Sequence, residues 1–220
     1  MIYNLNINFL YNGHAPYLYG IPFEIIEEKF NIPSIVNVTI APNILGNGYL
    51  NKRTLLSVSS CGICGKQQLE DIQVNGDKIE QKISFSSENL LKMFAPLLKE
   101  QETFKKTGGS HAAGIFNNQF KLLASREDIG RHNAVDKCVG SLLQKQLLKS
   151  GMYLLVSGRV SYEIVSKAFL AKIPVIVAVS ACSTMAVDFA KEFGICLIGF
   201  TRENKMTVYS NPSFLEKNKI

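Results

Sequence analysis

Met152-Tyr153-Leu154-Leu155-Val156, Val175-Ile176-Val177-Ala178-Val179 and Ile195-Cys196-Leu197-Ile198-Gly199-Phe200 are three near-continuous apolar runs. Between them, residues 161–171 and 183–193 carry helical spacing; in the second, Met185, Ala186, Phe189, Ala190 and Phe193 share one face. Strands that skip the usual in–out alternation are buried on both faces, and helices between them imply parallel crossovers. A short further strand is expected at 207–209. These runs set the fold class as α/β, with a parallel sheet covered by helices on both sides.

Upstream of this core, Thr107-Gly108-Gly109-Ser110-His111-Ala112-Ala113-Gly114-Ile115-Phe116 is glycine-rich and then apolar. Asn117-Asn118 is a turn signal, and a strand at 120–124 completes an expected hairpin. Apolar residues at 134, 135, 138, 139, 142 and 143 then mark a helix with residues 128–132 at its start. Residues 86–104 read as one helix, with Leu90, Leu91, Phe94, Leu97 and Leu98 on a shared face. Residues 1–60 read as a small α+β piece. It has strands at 2–10, 36–40 and 54–58, a turn near His14, and a short helix at 21–30 from apolar residues at 21, 25, 26 and 30.

A chain of 220 residues can bury one substantial core, with or without a small subdomain. No apolar run approaches the ~20 residues of a membrane span. Met1-Ile2-Tyr3-Asn4-Leu5-Asn6 lacks the basic start of an export signal. Five cysteines, an odd number, then point to a reducing cytoplasm rather than a disulfide scaffold. The net charge of +6 favours an anionic partner. No run of five basic residues occurs, which argues against a nucleic-acid tail.

Ligands of open α/β sheets bind beyond the carboxyl ends of the strands. Three loops fall there: Ser157-Gly158-Arg159, Ser180-Ala181-Cys182-Ser183 and Phe200-Thr201-Arg202-Glu203-Asn204-Lys205. Hydroxyls, helix N-termini and the cations Arg159, Arg202 and Lys205 suit a phosphate-bearing ligand. Neither GxGxxG nor GxxxxGK[ST] occurs, so the usual dinucleotide and P-loop signatures are missing. A second polar group comprises His111, Asp128, Arg131 and His132; either Asp128 or Asp136, each four residues from His132, could orient its ring.

The remaining chemistry lies in Ser59-Ser60-Cys61-Gly62-Ile63-Cys64-Gly65-Lys66. Small neighbours leave the sulfurs reachable, and CxxC spacing beside a lysine lowers a thiol's pKa. Persulfide formation, disulfide exchange and metal ligation all suit such a pair. A zinc site needs two more ligands; no second CxxC or HxxxH occurs, and Cys138, Cys182, Cys196, His14, His111 and His132 are scattered singly. A thioredoxin-like pair should open a helix, and Lys66-Gln67-Gln68-Leu69-Glu70-Asp71 is only weakly helical.

SSCGICGK, TGGSHAAGIF, REDIGRHNAVDKCVG, SGRVSYEIVSKA and AVDFAKEFGICLIGFTRENKMTVYS follow one another between about 54 and 210. In that order they resemble the FdhD family, the accessory sulfurtransferases of formate dehydrogenase. The resemblance implies a three-layer α/β/α main domain similar to the cytidine-deaminase fold. The expected division is a small N-terminal α+β subdomain with the CGIC loop over 1–100, and a cofactor-binding α/β domain over 101–220. It implies a sulfur carrier that accepts persulfide sulfur from a cysteine desulfurase and hands it to the molybdenum (or tungsten) bis-guanine-dinucleotide cofactor needed by formate dehydrogenase. Cys61 would hold the persulfide with Cys64 assisting. Phe200, Thr201, Arg202, Glu203, Asn204 and Lys205 would bind the cofactor's nucleotide, which a simple guanine nucleotide would mimic. Arg159, His111, Arg131 and His132 are the further candidate cofactor-binding residues, no resident metal is expected, and family members are typically homodimers. A deaminase is disfavoured, since His111 is followed by Ala112-Ala113 and the CGIC pair is not preceded by proline. The competing reading is a non-catalytic, zinc-dependent or redox-regulated nucleotide-binding module.

Overall fold

The computed structural model describes the backbone strands within residues 3–38, and residues 76–80, 83–202 and 205–216. Cys61, Cys64, Glu203, Asn204 and the strand expected at 54–58 lie outside the described residues. A six-stranded sheet in the order Lys205–Ser210, Cys196–Arg202, Val175–Ala178, Tyr153–Val156, His111–Phe116, Leu122–Asp128 forms the centre. β7 (Tyr153–Val156), β8 (Val175–Ala178) and β9 (Cys196–Arg202) are its parallel core, with Tyr153 opposite Val175 and Val175 opposite Cys196. β5 (His111–Phe116) pairs antiparallel with both β6 (Leu122–Asp128) and β7, and β10 (Lys205–Ser210) pairs antiparallel with β9. The three runs expected to pair in parallel do so, while the short fourth strand, β10, and the hairpin of β5 and β6 pair antiparallel, so the whole sheet is mixed. The reason is connection length: the links from β5 to β6 and from β9 to β10 are too short for a crossover and force antiparallel return.

Helices cover both faces. On one, α4 (Arg131–Gln144), α5 (Tyr162–Leu170) and α6 (Thr184–Phe193) bury Val135, Cys138, Leu142, Ile164, Val165 and Phe189 against Leu154, Val156, Ile176, Ala178 and Leu197. On the other, α1 (Ser87–Lys92) and α2 (Phe94–Lys99) set Leu90, Met93 and Leu97 against Phe116, Tyr153, Leu155, Val177 and Ile198. Alternate residues of β7 thus enter opposite apolar layers, which is why Tyr153-Leu154-Leu155-Val156 shows no polar position. Each fully buried side chain of this size is worth roughly 1.5–3 kcal/mol, so the three-layer α/β/α arrangement is held chiefly from both sides of β7, β8 and β9.

The single helix expected over 86–104 is three short ones: α1, α2 and α3 (Glu102–Thr107). Pro96 has no N–H to give to Lys92, so the chain breaks at Met93, which ends α1 and begins α2. Leu98 consequently leaves the apolar face and is 57% exposed. α6 ends at Gly194, whose φ of +80° is the left-handed region and whose N–H donates to Ala190. A Cβ on Gly194 would lie 2.5 Å from the carbonyl oxygen of Ile79. Ile79 in turn donates its N–H to Phe193 at 2.9 Å, docking the segment 76–80 on the end of α6.

The short helix expected at 21–30 is instead a strand. β3 (Ile21–Lys29) pairs antiparallel with β4 (Ile32–Val38), Phe23 facing Val38, within a four-stranded sheet that also holds β1 (Tyr3–Asn4) and β2 (Tyr17–Leu18). The register shifts between Ile25 and Glu27. A bulge of this kind breaks the two-residue alternation and makes 21, 25 and 26 imitate a helical face. Among the described residues of 3–38 all named elements are strands.

Candidate functional site

β5 and β7 run in opposite directions with Ala113 opposite Val156. The start of β5 and the end of β6 therefore lie at the same edge of the sheet as the carboxyl ends of β7, β8 and β9. His111 faces Asp128 across that edge. The loops are stitched to one another in sequence of strands. Ser157 accepts the N–H of Ala112 on its hydroxyl at 2.9 Å and donates its own N–H to the Ala112 carbonyl at 3.0 Å. Val160 donates to Ala181 at 2.9 Å and accepts from Ser183 at 2.9 Å; Phe200 donates to Ser180 at 3.0 Å. From β5 to β9 is three inter-strand spacings, about 15 Å, so the edge offers a long, rigid rim rather than a single point.

One end of the rim gathers His111, Arg131, His132, Gly158 and Ser161. A Cβ on Gly158 would sit 3.1 Å from His111 Nδ1 and 3.5 Å from the Cβ of Arg131. The absence of a Cβ at this glycine leaves His111 and Arg131 room to pack against the strand-end backbone. His132, 6% exposed, places Nε2 3.1 Å from the hydroxyl of Ser161. Burial pushes the His132 imidazole below its ordinary value, and the neighbouring Arg131 charge adds to the effect. The Nε of Arg131 is buried and has no hydrogen-bond partner among the described residues.

Both carboxylates expected to orient His132 have lysine partners, and Asp136 also acts on the imidazole electrostatically. Asp128 accepts from the Gly130 N–H at 2.8 Å and the Asn133 amide at 3.1 Å, and pairs with Lys137 at 2.7 Å. Burial raises its pKa, but the Lys137 contact, the Gly130 N–H and Asn133 outweigh that and hold it below the ordinary value. Asp136 pairs with Lys167 at 2.7 Å, joining α4 to α5. Glu127 accepts from the N–H groups of Thr103 and Phe104 and from the Ser110 hydroxyl at 2.7, 2.8 and 2.6 Å, fixing the start of α3 beside the rim.

At the other end, in the expected loop 200–205, β9 continues through Arg202, and Arg202 faces Lys205 of β10. Phe200 adopts φ +50°, left-handed backbone that a bulky side chain rarely takes, and the residue is 42% exposed. Arg202 and Lys205 are exposed beside it, and Arg159 is exposed on the loop after β7. Thr201 is only 3% exposed, and its hydroxyl has no partner among the described residues. The rim thus carries His111, Arg131 and His132 at one end, Phe200, Arg202 and Lys205 at the other, and Arg159 between them. Ser161 was readable from sequence only as the start of a helix. Its contact with His132 spans a separation that local spacing does not encode.

Burial pushes the thiols of Cys138, Cys182 and Cys196 up to about 12. Such thiols hold their protons near neutral pH and are poor nucleophiles. Among the described residues, no three His, Cys, Asp or Glu side chains group as metal ligands, and no helix is long and apolar enough to cross a membrane.

Known proteins resemble this chain over most of its length. The FdhD/NarQ family matches residues 23–216. A protein of Thermoplasma acidophilum named sulfur carrier protein FdhD is 43% identical over 162 residues, covering 74% of this chain and 57% of its own length. Proteins of the same name from Streptomyces avermitilis and Mycolicibacterium paratuberculosis are 42% and 40% identical, covering 82% and 84% of this chain and 65% and 69% of their own lengths. The chain therefore spans about 57–69% of these relatives. A crystal structure from Desulfotalea psychrophila, described as a formate dehydrogenase accessory protein, superposes with a TM-score of 0.58 at 25% identity, over 64% of this chain and 60% of that one. On the extent of the family match and the identity to these relatives, the chain belongs to the FdhD/NarQ family.

Proposed function

We propose that the chain is a cytoplasmic sulfur carrier serving formate dehydrogenase. It takes sulfane sulfur from a cysteine desulfurase and delivers it to the molybdenum (or tungsten) bis-guanine-dinucleotide cofactor, which is its cargo. The Cys61 thiolate attacks the outer sulfur of the donor's persulfide; the donor cysteine leaves as a thiolate and Cys61 carries the new S–S bond. Cys64 then attacks the inner sulfur of that persulfide, hydrosulfide departs as the ligand for the metal, and a Cys61–Cys64 disulfide remains for a cellular dithiol to reduce. The chain acts as a homodimer in this scheme.

The observation that carries the cargo assignment is Phe200. An exposed aromatic ring held on left-handed backbone is maintained against strain of about 1–3 kcal/mol, beside Arg202 and Lys205 at the end of a parallel strand. A ring to stack on a base, with cations beside it to meet guanine's acceptor edge, is what a guanine base needs. The sulfur assignment is supported by the high proton affinity of the described cysteines and by the small-residue surroundings of Cys61 and Cys64. The test is titration of guanosine diphosphate into wild type, Arg202→Ala and Lys205→Ala. Each substitution should weaken binding about tenfold. Unchanged affinity in both would remove the nucleotide from residues 200–205.

A further inference from the structure

Phe200, Arg202 and Lys205 leave unused the basic cluster at the opposite end of the rim. Three observations there concern a missing acceptor. The Arg131 Nε is buried without a partner among the described residues. A guanidinium is charged at any physiological pH, and a buried polar group left unpaired costs about 1–3 kcal/mol, so an acceptor supplied by a ligand is the economical explanation. His111 and Arg131 both pack against Gly158: a Cβ there would stand 3.1 Å from His111 Nδ1 and 3.5 Å from the Cβ of Arg131. Finally, α4 and α5 both begin here, joined by the His132–Ser161 contact of 3.1 Å. Neither is capped by its N-cap side chain: Gly130 has none, and the Ser161 hydroxyl is turned to His132. Asp128 and Asp136 are tied to Lys137 and Lys167, which limits their repulsion of an anion.

We infer that Arg131, His111 and the Gly158 backbone form an oxyanion subsite that receives the pyrophosphate group of the nucleotide cargo. The inference rests on the proposed nucleotide reading but uses a different part of the rim. Arg131 supplies a forked, charged donor to phosphate oxygens, His111 a ring N–H, and the first turns of α4 and α5 the positive ends of two helices. His132 is a positioning residue: its bond to Ser161 keeps the two helix starts together. With guanine at Phe200 and pyrophosphate at Arg131, the cargo lies along the rim, past Arg159, rather than projecting from it.

The experiment is calorimetric titration of the full chain with sodium pyrophosphate, guanosine and guanosine diphosphate, in wild type, Arg131→Gln and His111→Asn, with circular dichroism as a control of folding. Pyrophosphate should bind wild type and be displaced by guanosine diphosphate. Arg131→Gln should weaken both phosphate-bearing probes about tenfold and leave guanosine unchanged. His111→Asn should act in the same direction, and it decides the matter if Arg131→Gln does not fold. Unchanged pyrophosphate affinity in the folded variants would overturn the subsite. Simultaneous binding of pyrophosphate and guanosine diphosphate would overturn its assignment to the cargo, leaving a site for free phosphate. Failure of the nucleotide reading itself is seen separately, because guanosine binding reports on residues 200–205 and pyrophosphate on Arg131.

Discussion

His132 Nε2 lies 3.1 Å from the Ser161 hydroxyl, fastening the first turn of α4 to the N-cap of α5. Burial and then the Arg131 charge push the imidazole below its ordinary 6.5, so the folded chain keeps it neutral. Below pH 6.5 and above the lowered folded value, the unfolded chain binds a proton that the folded chain does not. Stability therefore rises with pH across that window and is lost as pH falls through it. His132→Gln removes this dependence. Urea unfolding above and below pH 6.5 should show a smaller acid loss in the variant than in wild type; equal losses would contradict the buried neutral ring.

Asp128 has the opposite character. Burial raises its pKa, but Lys137, the Gly130 N–H and Asn133 together bring it below 3.8. Its contribution is complete above 3.8 and disappears as pH falls through the lowered folded value. The pair is little exposed, 14% for Lys137 and 3% for Asp128, so removing the charge leaves an uncompensated lysine. Asp128→Asn should cost about 3 kcal/mol at neutral pH and progressively less in acid. A cost that does not change with pH would assign the loss to packing rather than to the ion pair.

Gly194→Ala tests the docking of 76–80. The substitution places a methyl group 2.5 Å from the Ile79 oxygen on backbone at φ +80°. Left-handed backbone costs an L residue roughly 1–2 kcal/mol, and a backbone oxygen cannot swing aside like a flexible side chain. A loss of about 2–4 kcal/mol in chemical denaturation is expected. A loss below about 1 kcal/mol would mean that residues 76–80 do not pack there.

At Phe200 the strain and the proposed function separate. Phe200→Gly relieves the φ of +50°, whereas Phe200→Ala keeps it; both remove the ring. The glycine variant should be more stable than the alanine variant by about 1 kcal/mol, while both lose guanosine affinity alike. An alanine variant as stable as the glycine variant would deny the strain, and retained guanosine affinity would deny the stacking.

The alternation after residue 152 was legible because each strand there is buried on both faces: Leu154 and Val156 enter one apolar layer, Tyr153 and Leu155 the other. The hairpin of β5 and β6 was legible from its turn and apolar flanks. Strand order was not, because pairing β5 beside β7 depends on contacts far apart in sequence. The bulge at Ile25 disguised β3 as a helix, and Pro96, one residue among many apolar ones, broke a helix that periodicity made continuous. The rim residues were visible as residue types at strand ends. The His132–Ser161 bond and the packing of His111 and Arg131 against Gly158 were not, since they join residues whose separation carries no local pattern.

Cys61 is the proposed sulfur-carrying residue. The full chain, incubated with a cysteine desulfurase and cysteine and then digested for mass spectrometry without reductant, should gain one sulfur atom on the peptide containing Cys61. Cys61→Ala should abolish the added sulfur, while Cys182→Ala should not change it, its thiol being pushed up to about 12 by burial. Added sulfur on Cys138, Cys182 or Cys196, or undiminished loading of Cys61→Ala, would contradict the account.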